Sequence, residues 1–302
     1  MGNDWSVRPH YAGVVLEGTG GDATSLERRL LAWARTRLET MPSTGWRGRL
    51  VELVVFGIKQ AWACVFGALL LLVLVVTALT WPDDAALHRN DLLVLLAVAI
   101  QVFMVFGRLE TGRELWVVVL FHVAGTGMEL FKTSVGSWSY EPGGVLHLGA
   151  VPLYSGFMYA AVGSYMVRVM RLFDLRFDRY PPLWASALVA AGIYVNFFTH
   201  HYVLDARYVL VAAVVLLWGR CMMHFRVHRH VLRMPVVVAF GLVAFFIWIA
   251  ENVATAAGAW FYPSQLDGWE LVPLTKFVSW FLLMIVSVVL VTFVYRPRPP
   301  EA

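Results

Sequence analysis

Apolar residues in this chain do not alternate with polar ones; they gather in long blocks separated by short polar connections. The block from Ala61 to Trp81 holds no charged residue at all. A run of roughly 18 or more apolar residues reads as a membrane-spanning helix. Eight such segments are predicted, near 53–81, 91–107, 115–131, 150–167, 183–200, 207–223, 235–256 and 272–294. The expected fold class is therefore all-α, a polytopic membrane protein.

Polar positions orient the helices. With the N-terminus inside, the inner connections hold fourteen Arg, while the outer ones hold only Arg89, Lys132, Arg207 and Lys276. That is the positive-inside bias, and it predicts cytoplasmic N- and C-termini in a cell inner (cytoplasmic) membrane, crossed many times. Ahead of the spans, Thr24 and Glu27 form a capping box. Leu26, Leu30, Leu31, Ala34 and Leu38 then make one apolar face, with Arg28, Arg29, Arg35 and Arg37 around the rest. An amphipathic helix on the anionic membrane surface or on the protein's own loops fits this pattern. The N-terminus has no short basic region followed by an apolar core, so no cleavable signal peptide is expected.

One stretch occurs twice. Glu129, Thr133, Gly136, Trp138 and Tyr140 recur as Glu251, Thr255, Gly258, Trp260 and Tyr262 at identical spacing. Val151-Pro152-Leu153 and Val272-Pro273-Leu274 follow at nearly equal intervals. Each copy starts at the outer end of a span and runs into the next, with four spans between the copies. The arrangement predicts a parallel 4+4 internal repeat about an axis along the membrane normal. Its segments are 1–49, a cytoplasmic N-terminal segment; 50–180 and 181–296, the two four-helix repeats; and 297–302, a tail.

Ionisable residues within spans are costly, which makes Glu129 and Glu251 the leading candidates for catalytic carboxylates. If they share a dry pocket, one protonated and one ionised carboxyl would suit acid–base work. A purely structural role, capping the motif loop or pairing with Lys132, stays open beside it. Tyr140 and Tyr262 can aim hydroxyls at a substrate or at the Glu residues. Trp138 and Trp260 fit either an aromatic substrate pocket or interfacial anchoring. Asn196, His200 and His201 end the fifth span at the same level, with His200 a further catalytic candidate and the other two placed at a substrate. His122 lies roughly 10 Å deeper than Glu129 on the same helix face. It has Ala244 as its counterpart, and Asn252 stands where the first copy has Leu130.

Composition narrows the field. Hydrophobic residues make up 59% of the 302 residues and charged ones only 15%, well below the roughly 25% of soluble domains. The net charge of +4 is spread over loops, so nucleic acid is not an expected partner. Cys64 and Cys221 both sit in apolar blocks, which argues against a disulfide framework. His224, His228 and His230 are mixed with Arg in an inner loop, and His200-His201 alone is a weak metal pair. No metal or cofactor is expected. Nor does any P-loop, Gly-x-Ser-x-Gly elbow or dinucleotide fingerprint stand in its structural context.

The stretches MELFKTSVGSWSY, GAVPLYSGFMYAAVGSY, YVNFFTHHYV and GAWFYPSQLDGWELVPL resemble a bacterial integral membrane family, domain of unknown function 817, over about 50–296. A weaker similarity joins Glu129, Gly136, Trp138, Tyr140 and Val151-Pro152-Leu153 to carotenoid-biosynthesis hydratases and membrane lycopene cyclases. It implies acid-promoted chemistry on a double bond of an isoprenoid or lipid. The cyclases' paired Glu after the Pro is missing, since Tyr154 and Ser155 follow Leu153, and Thr275 and Lys276 follow Leu274.

Three readings follow. The first is a membrane-embedded lyase- or hydratase-type enzyme on a membrane lipid or other apolar small molecule. The second is a transporter binding an ion at the Glu pair, and the third a non-catalytic scaffold. The enzyme stands first because the outer polar cluster has no continuous polar path through the membrane. The two copies of the motif would meet either within one chain or across a homodimer.

Overall fold

The computed structural model describes residue 29 and residues 45–82, 84–107 and 109–300. The expected amphipathic helix over 24–38 lies almost wholly outside them. The described residues are mostly helical. In order they form α1 (Gly45–Ala63), α2 (Val65–Thr80), α3 (Arg89–Phe106), α4 (Gly112–Ser134), β1 (His147–Leu148), β2 (Val151–Pro152) and α5 (Tyr154–Leu172). There follow β3 (Arg176–Asp178), α6 (Leu183–Thr199), α7 (Arg207–Trp218), β4 (Met222–Arg226), β5 (Val231–Pro235), α8 (Val236–Ala256) and α9 (Thr275–Val294).

Each of the eight apolar segments contains helix, but not all have span length. Four helices, α3, α4, α8 and α9, are long and apolar enough to cross a membrane, and α1 with α2 makes a fifth if a bent pair counts as one. The first segment is not one straight helix. It breaks at Cys64 with a 66° bend, where the chain changes neighbours. Before the break, Phe56 packs against Phe173 and Phe225, and the Lys59 ammonium donates to the Leu172 and Arg226 carbonyls. After it, Phe66, Leu70 and Leu74 enter a core shared with Leu93, Val94 and Ala97. The 12 residues of α7 span only about 18 Å, short of a hydrocarbon core of about 30 Å.

Two large cores result. One is built from α2 to α5, with Ala254 and Ala259 contributed from the far end of α8. The other joins Ile193, Val214, Trp218, Phe240, Ala244 and Ile285 from α6 to α9. Much of the outside is as apolar as the inside, with Phe106 82% and Leu216 84% exposed. Such a surface is stable against hydrocarbon and a liability in water.

Charge, conversely, goes inward. Arg168 is fully buried. It donates to the Leu109 carbonyl at 2.9 Å and lies 3.8 Å from the Glu110 carboxylate, which also accepts from Gln101 and Ser164. Arg171 pairs with Glu114. Glu114 in turn closes a capping box with Thr111 at the start of α4. Two of the Arg residues counted as inner-loop charges therefore sit in buried ion pairs between α4 and α5.

The connections expected on the inner side also hold strands, where the pattern predicts loop or helix. β3, β4 and β5 form an antiparallel sheet, with Arg176 opposite His224 and Phe225 opposite Leu232. Phe225 alone in β4 is fully buried and packs on Phe173. Five residues with one inward anchor are too short for alternation to show against the neighbouring apolar blocks. The sixth apolar segment consequently ends as helix at Trp218, not near 223.

Replacing Arg168 by Met strands the Glu110 carboxylate in an apolar interior. Breaking a buried pair in this way costs about 3–5 kcal/mol. Thermal unfolding in detergent should show a clear drop in melting temperature, larger than for Arg298→Met on the exposed side of its pair with Asp174.

Candidate functional site

The two motif copies fold by the same local rule. α4 and α8 each end at a glycine in the left-handed region, Gly136 at φ 70° and Gly258 at φ 67°, a conformation that a side chain would strain. The residue after each glycine donates back five positions along the turn. Ser137 N–H bonds the Lys132 carbonyl at 2.9 Å, and Ala259 N–H the Ala254 carbonyl at 3.0 Å. This reversal carries the downstream aromatic residues back over the helix end.

Glu129 receives them. Its Oε2 accepts from Trp138 Nε1 and from the Tyr140 hydroxyl, both at 2.7 Å, and its Oε1 from the Tyr159 hydroxyl at 2.7 Å. Glu251 is held by the Tyr262 hydroxyl at 2.5 Å and by Trp280 Nε1 at 2.7 Å. Both glutamates are 3% exposed. Every one of these groups is a neutral donor, so each carboxylate is satisfied without a cation in hydrogen-bond contact. Burial first, then the adjacent Glu carboxylate, raises the Tyr140 and Tyr262 hydroxyls well above the ordinary tyrosine value, which keeps both as donors.

Tyr159 and Trp280 are absent from the sequence-derived site. Each lies seven residues beyond the proline of its Val-Pro-Leu, and that shared interval was the available signal. Tyr159 also depends on a close approach of α4 to α5, because a Cβ on Gly125 would lie 2.4 Å from its ring.

The copies meet within one chain. Ser139 and Phe261, which occupy equivalent places in the two motifs, exchange both backbone hydrogen bonds at 2.9 and 2.8 Å. Trp138 stands edge-on to Tyr262 with centroids 6.1 Å apart, and the Tyr154 hydroxyl donates to the Ala259 carbonyl at 2.5 Å. The two carboxylates are thereby linked through Trp138 and Tyr262. Lys276 Nζ lies 4.1 Å over the Tyr262 ring and 5.6 Å from Trp138. Arg89 ties the assembly to α2, donating to the Leu74 carbonyl and to the Ala257 and Gly258 carbonyls just past α8.

The other sequence-derived candidates fall around this centre. His201 joins Lys132 at 2.9 Å and Ser137 at 3.3 Å. His200 bonds the Asn196 carbonyl and faces His201 with ring centroids 4.0 Å apart. Asn196 staples the α6–α7 turn through Asp205 and Ala206, and Asn252 fixes the loop at Val272. His122 packs edge-on against Phe157 at 4.7 Å, and Trp260 lies against the α2–α5 core. None of these last four hydrogen-bonds Glu129 or Glu251.

Next to the carboxylates runs an apolar groove of about 290 Å³ between α4, α6 and α9. Phe121, Gly125, Met128, Ala190, Tyr194 and Leu290 line it, and Tyr159 closes it on the glutamate side. A smaller cleft beside it is walled by both Tyr159 and Trp280.

A mostly helical chain with apolar outer faces, buried ion pairs and several helices long and apolar enough to cross a membrane has the character of a membrane protein. The family model described as "Protein of unknown function (DUF817)" matches residues 52–288, and the chain belongs to that family. It is 43% identical over 240 residues to "Uncharacterized protein YoaT" of Bacillus subtilis (strain 168), covering 80% of this chain and 90% of that protein. No solved structure matches the chain.

Two expectations follow from the geometry. Tyr262→Phe removes one of the two donors to Glu251 and should cost about 1.5–3 kcal/mol, the worth of a hydrogen bond to a charged group. Tyr140→Phe leaves Glu129 two donors and should cost less, as read by melting in detergent. For His201, burial and then the Lys132 ammonium lower the imidazole below its usual 6.5. The folded state disfavours its protonation, so stability is complete above pH 6.5 and declines as pH falls from 6.5 through the lower folded value. His201→Gln should flatten the melting temperature across that window.

Proposed function

We propose that this chain is a multi-pass protein of the cytoplasmic membrane whose eight apolar segments cross as a parallel 4+4 repeat with both termini inside. The fourteen-to-four bias of basic residues, the shared geometry of the two helix ends and the pairing of Ser139 with Phe261 support that arrangement. In this reading the short α7 is extended across the membrane by Gly219 to β4. That backbone is shielded by protein, as the full burial of Trp218 and Cys221 suits.

Its proposed activity is acid–base chemistry on a double bond of an isoprenoid or lipid, with Glu129 and Glu251 as the exchanging carboxyls. The observation that carries it is the groove. An apolar chain lying between α4, α6 and α9 reaches Tyr159 and the cleft it shares with Trp280. These are the residues that donate to Glu129 and Glu251 respectively. Isomerisation would deliver a proton to one alkene carbon and remove one from the allylic carbon on the other side of the double bond, so it calls for no co-reactant. Tyr140 and Tyr262 would steady the carboxylates and exclude water, while His200 and His201 lie near the mouth.

A structural role for the same carboxylates is favoured by their bonds to their own motif loops. The two readings part in the cell. Glu129→Gln and Glu251→Gln, each checked for membrane accumulation and melting, are expected to alter the polar-lipid or carotenoid profile of the host. Folded variants with an unchanged profile would sink the enzymatic reading and leave the scaffold.

A further inference from the structure

Positive charge gathers just beyond the groove, on the same helix faces that line it. Lys132 follows Gly125 by seven residues in α4, His201 follows Tyr194 by seven after α6, and Lys276 precedes Leu283 by seven in α9. Seven residues are about two turns, so in the helices each returns to nearly the same face about 10 Å along the axis. All three shifts run towards the same end of the bundle, because α4 and α6 end there and α9 begins there.

The lysines are built into the protein and are not solvated tips. Lys132 is 3% exposed. Its Nζ contacts His201 Nε2 at 2.9 Å and sits 4.2 Å from the Phe197 ring centroid. Lys276 lies over Tyr262 and Trp138. Lys276 and Arg207 act electrostatically on Lys132, with Asp205 opposing them, and Arg207 acts on Lys276 as well. Arg207 has its own partner, Asp205, at 2.5 Å. Among the described residues, no carboxylate oxygen lies within 4.0 Å of Lys132 or Lys276. Glu251 is the nearest influence of opposite sign on Lys276, but its oxygens are occupied by Tyr262 and Trp280.

Bringing two cations together in a largely dehydrated place is unfavourable unless an anion completes it. A carboxylate head offers one negative charge, whereas a phosphate ester offers nearly two and three acceptor oxygens. Two ammonium groups, together with the Ser137 hydroxyl beside His201, match the second. Below them the walls are apolar and lie among helices whose outer faces meet hydrocarbon, Phe293 being 72% exposed.

We propose that Lys132, Lys276 and His201 form the head-group site of a long-chain phosphate or diphosphate ester whose hydrocarbon lies in the groove between α4, α6 and α9. This deepens the reading above, on which it rests for the use of the groove, by naming the head chemistry of the substrate.

The test uses the full-length protein in dodecyl maltoside with three probes: farnesyl diphosphate, farnesol and inorganic diphosphate. Binding is read by tryptophan fluorescence and by the shift in melting temperature. Farnesyl diphosphate is expected to bind at least tenfold more tightly than either of the others and to raise the melting temperature. Lys276→Gln should weaken it about tenfold or more while leaving farnesol binding unchanged. Lys132→Gln carries a greater risk to folding, so Lys276→Gln and the comparison of probes on the wild-type protein decide the matter. Equal binding of farnesol and farnesyl diphosphate overturns the head-group site, as does a folded Lys276→Gln protein with undiminished affinity. Inorganic diphosphate binding as tightly as the ester overturns the role of the groove. Glu129→Gln should keep the binding, so loss of the chemical reading and loss of the binding site remain separate results.

Discussion

A carboxylate buried away from water has no solvent to accept from, and its lone pairs must be met by donors that the chain itself supplies. Glu129 and Glu251 impose that condition at the ends of α4 and α8, and the surrounding architecture answers it. Glycine in the left-handed conformation turns the chain, the turn returns Trp138 and Tyr140 or Tyr262 over the helix, and the next helix contributes Tyr159 or Trp280. One requirement thus ties together a helix, its exit loop and the following helix, twice. The same condition governs the opposite end of α4, where Arg168, Glu110, Arg171 and Glu114 are buried only in combination.

The carboxylates are not equivalent in their surroundings. Three donors meet Glu129 and two meet Glu251, and the Lys276 ammonium lies on the second side, where the first half has Ser155. Symmetric positions with unequal electrostatics are what a division between proton donor and acceptor requires. The asymmetry has two sources: Trp138 donates to Glu129 whereas its counterpart Trp260 does not bond Glu251, and Lys276 stands where the first copy has Ser155.

Much of this was readable from residue pattern. Apolar block length located every long helix, and identical spacing marked Glu129, Tyr140, Glu251 and Tyr262 as a set. The interval from Pro152 and Pro273 to Tyr159 and Trp280 is equally regular, but an aromatic residue inside an apolar helix resembles ordinary core. By pattern Arg168 and Arg171 look like loop charges, since a sequence shows no sign that Glu110 and Glu114 stand opposite. The break at Cys64 has no proline or glycine at the break itself to announce it and reflects a change of packing partner. The strands β4 and β5 were obscured because burial of Phe225 depends on Phe56 and Phe173, distant in sequence.

The bridge between Ser139 and Phe261 has a consequence for assembly. Because each residue is the other's counterpart, the hydrogen-bonding edge that one motif offers is met by the same edge of its twin. A contact of this self-matching kind closes upon itself, whereas a head-to-tail contact would leave a free edge at either end to recruit another molecule. The chain therefore consumes internally the surface through which a lone motif would stick to its neighbours, and growth by that edge stops at two.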